Sequence, residues 1–245
     1  NLSDMHNFSI NGNEVIFGTI GDASTSEGHF WESINACGVL QIPVVMSIWD
    51  NGYGISVPSE YHTTRNDLSK VLSGFQRSSK KENGFELFTV KAWDYEGLLN
   101  AYSSAVNYAR KDHVPSIIHV KDVTQPQGHT TSGSHERYKS KERLQWEKDF
   151  CCIKRMRSWI IKNSIADNKE LDKIERKALE KAKLARDISW KAFRNPIEED
   201  LNNAVAIITR IAQHSPKNKM DILKIREDLS KTIQPIKSDI YRSLK

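Results

Sequence analysis

The sequence predicts an α/β fold, in which a parallel sheet with crossover helices is followed by a helical C-terminal extension. Up to about residue 123, short apolar runs alternate with stretches of helical spacing, which is the pattern of β-α-β units. From about residue 150 onward, apolar residues recur mainly with helical spacing. We therefore expect an α/β domain over residues 1–165 and a helical extension over residues 166–245.

The first β-α-β unit is the clearest part of this pattern. The apolar run Glu14–Ile20 stops at a turn signal, and so does the run Pro43–Trp49. We interpret both as buried parallel strands. Between them, His29–Leu40 has helical spacing and places four apolar residues on one face, Phe30, Ile34, Cys37 and Leu40.

A second crossover and a series of helices follow. The predicted elements of the crossover are a short helix, a strand, an amphipathic helix and a strand, at Asn66–Phe75, Phe85–Val90, Tyr95–Lys111 and Pro115–Val123. The later predicted helices lie near Phe150–Asn163, Leu171–Phe193, Glu198–His214 and Met220–Ile233, with Pro196, Pro216 and Pro235 as breaks. Three tryptophans are expected to be packing anchors, Trp146, Trp159 and Trp190.

Oxygen-bearing residues follow the first two predicted strands. Asp22 comes just after the first, and Asn51, 29 residues later, comes just after the second. Ligands of parallel sheets collect beyond the carboxyl ends of the strands. Mg²⁺ takes oxygen ligands and keeps several from phosphate or water, so Asp22, Asn51 and the carbonyl of Tyr53 are a sufficient set. The alternative is that Gly-Asp and Asn-Gly only form turns.

The segment between Asp22 and the first helix favours an anion. Ser24–Gly28 leads into the predicted helix N-terminus, where free backbone N–H groups and the helix dipole attract negative charge. Together with the oxygen donors, this indicates a site for a metal ion on a diphosphate.

The combined pattern resembles a known family. Gly21-Asp22 with the later Asn51 resembles the thiamin-diphosphate motif, Gly-Asp-Gly with a downstream Asn-Asn. The segments Ser26–Gly28, Asp50–Pro58 and Gly128–Ser132 resemble the α-type half of a 2-oxo acid dehydrogenase, the decarboxylating first component. The likeness is strong from about Val15 to Tyr138 and fainter up to Pro196.

The resemblance implies a thiamin-diphosphate-binding fold with thiamin diphosphate and Mg²⁺ as cofactors. It makes Asp22, Asn51 and Tyr53 the metal ligands, the last through its carbonyl. His129 is implied as the catalytic histidine, which assists proton transfer and acyl transfer, and histidine is the residue type whose unperturbed pKa suits this work. The residues implied to bind the cofactor are Gly21, Ala23, Ser24, Asn51, Ile55 and His129.

The sequence departs from the family pattern at three positions. Ala23 replaces the third glycine of the motif and adds a methyl group where the backbone approaches the phosphates. Asp50 replaces the first asparagine and adds a negative charge near an anionic cofactor. Gln125 stands where the family often has an arginine, which removes a partner for the diphosphate.

The implied activity is decarboxylation of a 2-oxo acid followed by reductive acylation of a lipoyl domain. The Asn-Gly-Tyr-Gly-Ile-Ser and His-Thr-Thr-Ser variants are closer to branched-chain enzymes, with a substrate such as 2-oxoisovalerate. Pyruvate dehydrogenase, a transketolase relative and a non-catalytic subunit of this fold are the alternatives. A nicotinamide dehydrogenase is disfavoured, because no Gly-x-Gly-x-x-Gly follows either early strand.

The resemblance also implies partners. The chain opens with Asn1 and shows no stop signal at Lys245, so we expect a β-type half after residue 245 in one polypeptide, or as a separate subunit. A lipoyl-bearing dihydrolipoyl acyltransferase and the 2-oxo acid are the other expected partners, in a homo- or hetero-oligomer.

Composition and charge favour a soluble protein. No apolar run is long enough to span a membrane, and the three cysteines lack metal-ligand spacing, which is typical of a reduced cytoplasmic location. Residues 1–134 hold 9 Lys and Arg against 14 Asp and Glu, and residues 135–245 hold 27 against 17. The charges of the basic half alternate in sign along helical segments, so they indicate solvated helix faces rather than nucleic-acid binding.

Overall fold

The computed structural model describes residues 12–129 and 134–245. The chain divides into two compact units between Ala166 and Asp167. The strands of the first unit are β1 (Ile16–Gly21), β2 (Val44–Trp49), β3 (Tyr53–Gly54), β4 (Val57–Pro58), β5 (Glu86–Lys91) and β6 (Ser116–Lys121). Its helices are α1 (Gly28–Leu40), α2 (Leu68–Leu72), α3 (Tyr95–Asn107), α4 (Lys141–Asp149) and α5 (Cys152–Lys162).

A parallel sheet with the strand order β1-β2-β6-β5 forms the centre of the first unit. Its register brings the last residues of neighbouring strands level to within one residue: Gly21 pairs with Trp49, Trp49 with Val120, which is one residue before the end of β6, and Lys91 with Lys121. The carboxyl ends of all four strands therefore meet at one edge. The predicted α/β fold class is confirmed.

Helices cover both faces of this sheet. On one face, α1 and α2 pack on the strands through a cluster of buried side chains, Phe30, Ile34, Ile48, Leu68, Leu72, Phe85 and Ile117. On the other face, the small residues of α3 pack closely in a second cluster, Val45, Val90, Ala101, Ala105, Ala109, Ile118 and Val120. Burial of apolar surface on both faces stabilises the sheet and fixes the strand ends that carry the candidate site.

The prediction that the first strand is buried is wrong. β1 is an edge strand, and Ile16 and Phe17 are 60% and 58% exposed. An apolar run predicts a strand but carries no information on whether the strand lies at the centre or the edge of its sheet.

The predicted apolar face of the first helix is wrong at its end. Phe30 and Ile34 are buried and Cys37 packs partly against them, but Leu40 is 69% exposed. The helix stops at Leu40, and Gln41 adopts the left-handed conformation with φ 50°. Gly38 is buried instead, and a Cβ there would lie 3.1 Å from the ring of Phe85. The last turn therefore contacts the core through a glycine, and Leu40 points away from it.

The second unit is helical. It contains α6 (Asn168–His214), α7 (Lys219–Lys231) and α8 (Lys237–Ser243). The side chain of Asp167 accepts the N–H of Glu170 and caps α6 at its start. The core of this unit contains Ile197, Ala204, Ile208, Leu229 and Ile240.

The predicted break at Pro196 is wrong, because α6 continues through this residue. Helix N-termini tolerate proline, but an interior proline removes one hydrogen bond and costs about 3 kcal/mol relative to alanine. Ile197 is 4% exposed and anchors the helix directly after the proline, so tertiary packing offsets that cost.

One of the three tryptophans that were expected to be packing anchors differs from expectation. Trp146 stacks on Phe150 with ring centroids 5.2 Å apart, and Trp159 contacts the ring of Tyr95 at 4.7 Å, so both are packing residues. Trp190 is 53% exposed, and its prediction as an anchor is wrong. Among the described residues, each helix is too short or too polar to cross a lipid bilayer.

Candidate metal and cofactor site

Asp22 lies at the carboxyl edge of the sheet with an unsatisfied oxygen. Its backbone N–H donates to the carbonyl of Trp49 at 3.2 Å, which ties the turn after β1 to the end of β2. The residue is 4% exposed, and its Oδ2 is buried with no hydrogen-bond partner among the described residues. A buried carboxylate oxygen without a donor is costly unless a cation or a proton satisfies it. Asp22 is therefore suited to bind a cation.

The electrostatics of Asp22 agree with this role. Burial, and after it the neighbouring Asp50 carboxylate, raise the pKa of Asp22 from 3.8 to about 6. Backbone N–H groups of Asn51 and Ala23 donate to the carboxylate and lower the pKa in part. The ionised form is thus disfavoured in the protein alone, and a divalent cation would favour it.

Asn51 and Tyr53 form the second part of the site. The Oδ1 of Asn51 accepts the N–H of Tyr53 at 2.9 Å, and its Nδ2 donates to the Oε1 of Gln125 at 2.7 Å. An amide oxygen has two lone pairs, so Oδ1 retains acceptor capacity beyond this bond. The strand partner of Tyr53 is Pro58, which has no N–H to offer the Tyr53 carbonyl. With Asp22, these groups are the donors that the sequence predicts, and their binding of a metal ion stays a prediction.

The turn after Asp22 is a short 3₁₀ segment, Ala23–Ser26, and the α-helix begins only at Gly28. Gly21 and Ser24 are exposed here. The methyl group of Ala23 lies against Gly54, where an added Cβ would come within 2.9 Å of it. The alanine that replaces the motif glycine is therefore accommodated by a glycine on β3.

The extra carboxylate of Asp50 has hydrogen-bond partners inside the protein. Its Oδ2 lies 2.9 Å from Nε2 of the fully buried His119, and its Oδ1 accepts the N–H of Gly52 at 2.9 Å. Nδ1 of His119 in turn lies 2.6 Å from Oγ of Ser69. Although burial opposes it, the contact with His119 and the charge of Lys121 keep the pKa of Asp50 below its usual value. The carboxylate that departs from the family pattern is thus bound to His119.

Ile55 occupies the tight connection between β3 and β4. Its φ is 61°, in the left-handed region that β-branched residues rarely adopt, and its side chain is 61% exposed. Such strain costs on the order of 1–3 kcal/mol and clusters at ligand-binding sites. Its position two residues after Tyr53 agrees with the predicted contact with a cofactor.

His129 stands apart from the metal ligands. The residue is exposed, and none of the described contacts joins it to Asp22, Asn51 or Tyr53. The start of its loop is nevertheless anchored near the site by Gln125. The side chain of Gln125 accepts a hydrogen bond from Asn51, and the main-chain carbonyl of Gln125 accepts the N–H of Gly128 at 2.9 Å. The rest of the predicted loop motif, Thr130, Thr131 and Ser132, lies outside the described residues.

Sequence reasoning missed a group of charged residues on and before α4. Nη2 of Arg143 donates to the carbonyl of Asn51 at 2.8 Å, and its Nε donates to Glu147 at 3.0 Å. Lys139 also binds Glu147, at 2.8 Å. The i, i+4 spacing of Arg143 and Glu147 was the available signal, but the contact with Asn51 spans 92 residues.

A cavity of about 420 Å³ adjoins the turn from Asn51 to Tyr53. Its lining includes Asn51, Tyr53, Lys121 and Arg143. Its size lies within the range of small-molecule sites. The described residues contain no cluster of three or more His, Cys, Asp or Glu side chains that could hold a metal. One carboxylate, one amide and one main-chain carbonyl instead match a magnesium ion whose other ligands are phosphate and water.

Comparisons with known proteins identify the family of the chain. The family model described as dehydrogenase E1 component matches residues 9–195, well over half of the chain. The chain belongs to the dehydrogenase E1 component family. The family that the motifs indicate is therefore confirmed.

Several relatives in the E1 family are similar to this chain. The α subunit of the pyruvate dehydrogenase E1 component of Rickettsia bellii is 27% identical over 195 residues, which cover 80% of this chain and 56% of that protein. The α subunit of the mitochondrial 2-oxoisovalerate dehydrogenase of Macaca fascicularis is 24% identical over 226 residues, covering 91% and 46%. The chain thus spans about half the length of these relatives.

A third relative is named for a different substrate, acetoin. The α subunit of the acetoin:2,6-dichlorophenolindophenol oxidoreductase of Cupriavidus necator is 28% identical over 159 residues, or 64% of this chain and 44% of that protein. The names of these relatives cover three kinds of substrate, so they do not separate the predicted branched-chain type from the pyruvate type.

Proposed function

We propose that this chain contributes the metal- and diphosphate-binding half of a 2-oxo acid dehydrogenase E1 component, which decarboxylates a 2-oxo acid with thiamin diphosphate and Mg²⁺ and acylates a lipoyl domain. The observation that carries this proposal is the buried Oδ2 of Asp22, which has no partner among the described residues. It lies at the sheet edge where parallel α/β proteins bind ligands. Family membership over residues 9–195 supports the same reaction class.

The chain's own residues have separate tasks in this proposal. Asp22, Asn51 and the carbonyl of Tyr53 hold Mg²⁺, and the backbone of Ala23 and Ser24, after Gly21, faces the diphosphate. Ile55 contacts the cofactor from the turn between β3 and β4. When bound, thiamin diphosphate supplies the electron sink for decarboxylation.

His129 is proposed as the acid–base residue near the reacting atoms. Its exposure leaves the imidazole accessible to a lipoyl domain, and an imidazole exchanges protons near neutral pH. The anchor at Gln125 supports a position close to Asn51.

The proposed substrate is a branched-chain 2-oxo acid such as 2-oxoisovalerate, on the motif likeness around Asn51 and His129. Comparing kcat/KM for 2-oxoisovalerate and pyruvate tests this choice in the complete enzyme. A higher value for pyruvate would assign the chain to the pyruvate type and leave the reaction class unchanged.

The proposed partners are a β-type half, in the same polypeptide or as a subunit, and a lipoyl-bearing acyltransferase. Exposed apolar side chains on α6 support the need for a partner surface, since each of them is more than half exposed: Ile174, Leu179, Leu184, Ile188, Trp190 and Phe193. The cytoplasmic location stays a prediction.

Replacement of Asp22 tests the proposed function. Asp22→Asn keeps the shape of the side chain but removes the charge that holds Mg²⁺, so the affinity for thiamin diphosphate should fall sharply at every Mg²⁺ concentration. Calorimetric titration of the complete enzyme measures this affinity. Asp112→Asn, which removes an exposed carboxylate after α3, is the matched control. Unchanged magnesium-dependent binding in Asp22→Asn would refute the assignment.

A further inference from the structure

A buried ionic cluster lies behind the candidate metal site. The side chains of Lys139 and Glu147 are 2% and 1% exposed, and that of Arg143 is 27% exposed. The Lys139 ammonium lies 2.8 and 2.9 Å from the two carboxylate oxygens of Glu147, and Nε of Arg143 donates to the same carboxylate at 3.0 Å. One carboxylate thus holds two cations in a fixed arrangement.

This cluster reaches the proposed metal ligands through Arg143. Nη2 of Arg143 donates to the main-chain carbonyl of Asn51 at 2.8 Å. The cations of Arg143 and Lys139 also lie 5.5 and 5.4 Å from the ring centre of Tyr53. The backbone that positions the amide of Asn51 and the carbonyl of Tyr53 is therefore held from one side by two cations.

The same cluster contacts the start of the loop that carries His129. Nζ of Lys139 donates to the main-chain carbonyl of Gln125 at 3.3 Å, while the side chain of Gln125 accepts from Asn51. Gln125 is thus fixed both at its backbone and at its side chain.

A buried ionic group of this kind is not explained by stability alone. Desolvation of two cations and a carboxylate offsets most of their mutual attraction, and well-packed apolar residues of similar volume are often as stable. What the charged groups add is direction, since a guanidinium can bind a carboxylate and a carbonyl at once in a rigid geometry.

We infer that Lys139, Arg143 and Glu147 are positioning residues for the metal site: Glu147 orients Arg143, and Arg143 fixes the Asn51–Tyr53 turn in the geometry that Mg²⁺ requires. Lys139 joins this turn to the base of the His129 loop. The inference rests on the proposed function, because it assumes that Asn51 and Tyr53 bind the metal. Groups that orient metal ligands typically change metal affinity 10–100-fold when removed.

Two variants test the inference in the complete enzyme. Arg143→Met removes the donor to Asn51 while it keeps the aliphatic length of the side chain. Lys139→Met combined with Glu147→Leu removes the two fully buried charges together, and the Arg143 guanidinium that loses its carboxylate partner is 27% exposed and so retains access to water. Arg155→Met is the matched control, since Arg155 stacks on Phe150 at 4.2 Å in the same unit without contacting the site.

The measurement is calorimetric titration of Mg²⁺ with thiamin diphosphate in excess, together with the midpoint of thermal unfolding. We expect Arg143→Met to weaken Mg²⁺ binding by about 10-fold or more and the double variant to weaken it in the same direction. Saturation at high Mg²⁺ should restore full stoichiometry. A variant that had merely lost structure would instead bind fewer ions per chain at unchanged affinity.

The outcomes separate the inference from the proposed function. Wild-type Mg²⁺ affinity in Arg143→Met and in the double variant, with strong loss in Asp22→Asn, would overturn the inference and leave the proposed function standing. Unchanged binding in Asp22→Asn would overturn the proposed function itself. Loss of stoichiometry without loss of affinity in both variants would also overturn the inference, because it assigns the cluster to the fold alone.

Discussion

The unsatisfied carboxylate of Asp22 leads to a prediction about stability as well as binding. In metal-free protein, Asp22→Asn should stabilise the fold at pH 8, although most substitutions of buried residues destabilise. The neutral amide has the shape of the protonated acid, and its Oδ1 can still accept the backbone N–H groups that donate to Asp22. The variant therefore removes a buried charge that the folded chain does not compensate.

The magnitude follows from the pKa of Asp22, which burial and then Asp50 raise from 3.8 to about 6. A raised pKa means that the folded state binds the proton more tightly than the unfolded state does. Stability from this group is therefore present below pH 3.8 and is lost as the pH rises to about 6. At 1.36 kcal/mol per pKa unit, the full loss is about 3 kcal/mol above pH 7.

Denaturant unfolding with a chelator present measures this difference. Asp22→Asn should raise the free energy of unfolding by up to about 3 kcal/mol at pH 8 and by less than about 1 kcal/mol at pH 4. With Mg²⁺ and thiamin diphosphate at about 1,000 times the wild-type Kd the sign should reverse, because the ligands then add about 4.1 kcal/mol to the wild type and much less to the variant. Asp112→Asn should show neither effect.

The opposite result at pH 8 would refute the reasoning. If Asp22→Asn lowered the free energy of unfolding at pH 8, the ionised carboxylate would have to be stabilised by groups within the folded chain. Asp22 would then be an ordinary structural acid, and its Oδ2 would not be reserved for a cation.

Two further predictions concern other parts of the chain. His129→Ala in the complete enzyme should leave cofactor binding strong but slow the acylation of a lipoyl domain about 10²-fold or more. Acylation kinetics and a cofactor titration on wild type and variant measure the two effects. Acylation at a rate near that of the wild type would show that the histidine has a structural role. Pro196→Ala should raise the unfolding midpoint of the helical unit, because Pro196 is exposed and an alanine restores the backbone N–H inside the helix. Alanine is about 3 kcal/mol more favourable than proline in a helix interior, which exceeds the cost of about 1 kcal/mol from the greater conformational entropy of the unfolded chain. A lower midpoint in circular dichroism melts would show that the proline ring packs favourably.

Periodicity in the sequence was sufficient to place the four strands of the parallel sheet and most helices of the first unit, but not the short strands β3 and β4. It did not show that β1 is an edge strand, because the position of a strand in its sheet depends on contacts with segments far along the chain. The exposure of Ile16 and Phe17 follows from that order and not from their own hydrophobicity.

The helical unit shows the limit of local stop signals. Proline usually ends a helix, but α6 continues through Pro196. The buried residues Ile197, Ala204 and Ile208 follow the proline with helical spacing and pack with Leu229 of α7. The net effect of these tertiary contacts could not be read from the dipeptide around the proline.

The candidate site was predictable where it depends on strand ends. Asp22 and Asn51 follow adjacent parallel strands, so topology alone brings them together. The contacts of Asp50 with His119 and of Arg143 with Asn51 join residues that lie 69 and 92 positions apart. No local pattern specifies such partners, which is why the sequence indicates the candidate metal ligands but not the residues that contact them.

Those distant contacts decide which of two neighbouring acids is available to a cation. Asp50 and Asp22 lie close enough that each affects the charge of the other, yet His119 and Gly52 satisfy Asp50, and its pKa is lowered although burial opposes this. Asp22 has no such partner for its Oδ2, and its pKa is raised by burial. Oppositely directed pKa shifts in a pair of acids indicate different roles. Asp50 therefore serves the structure of the turn, and Asp22 is the acid whose negative charge a metal ion would compensate.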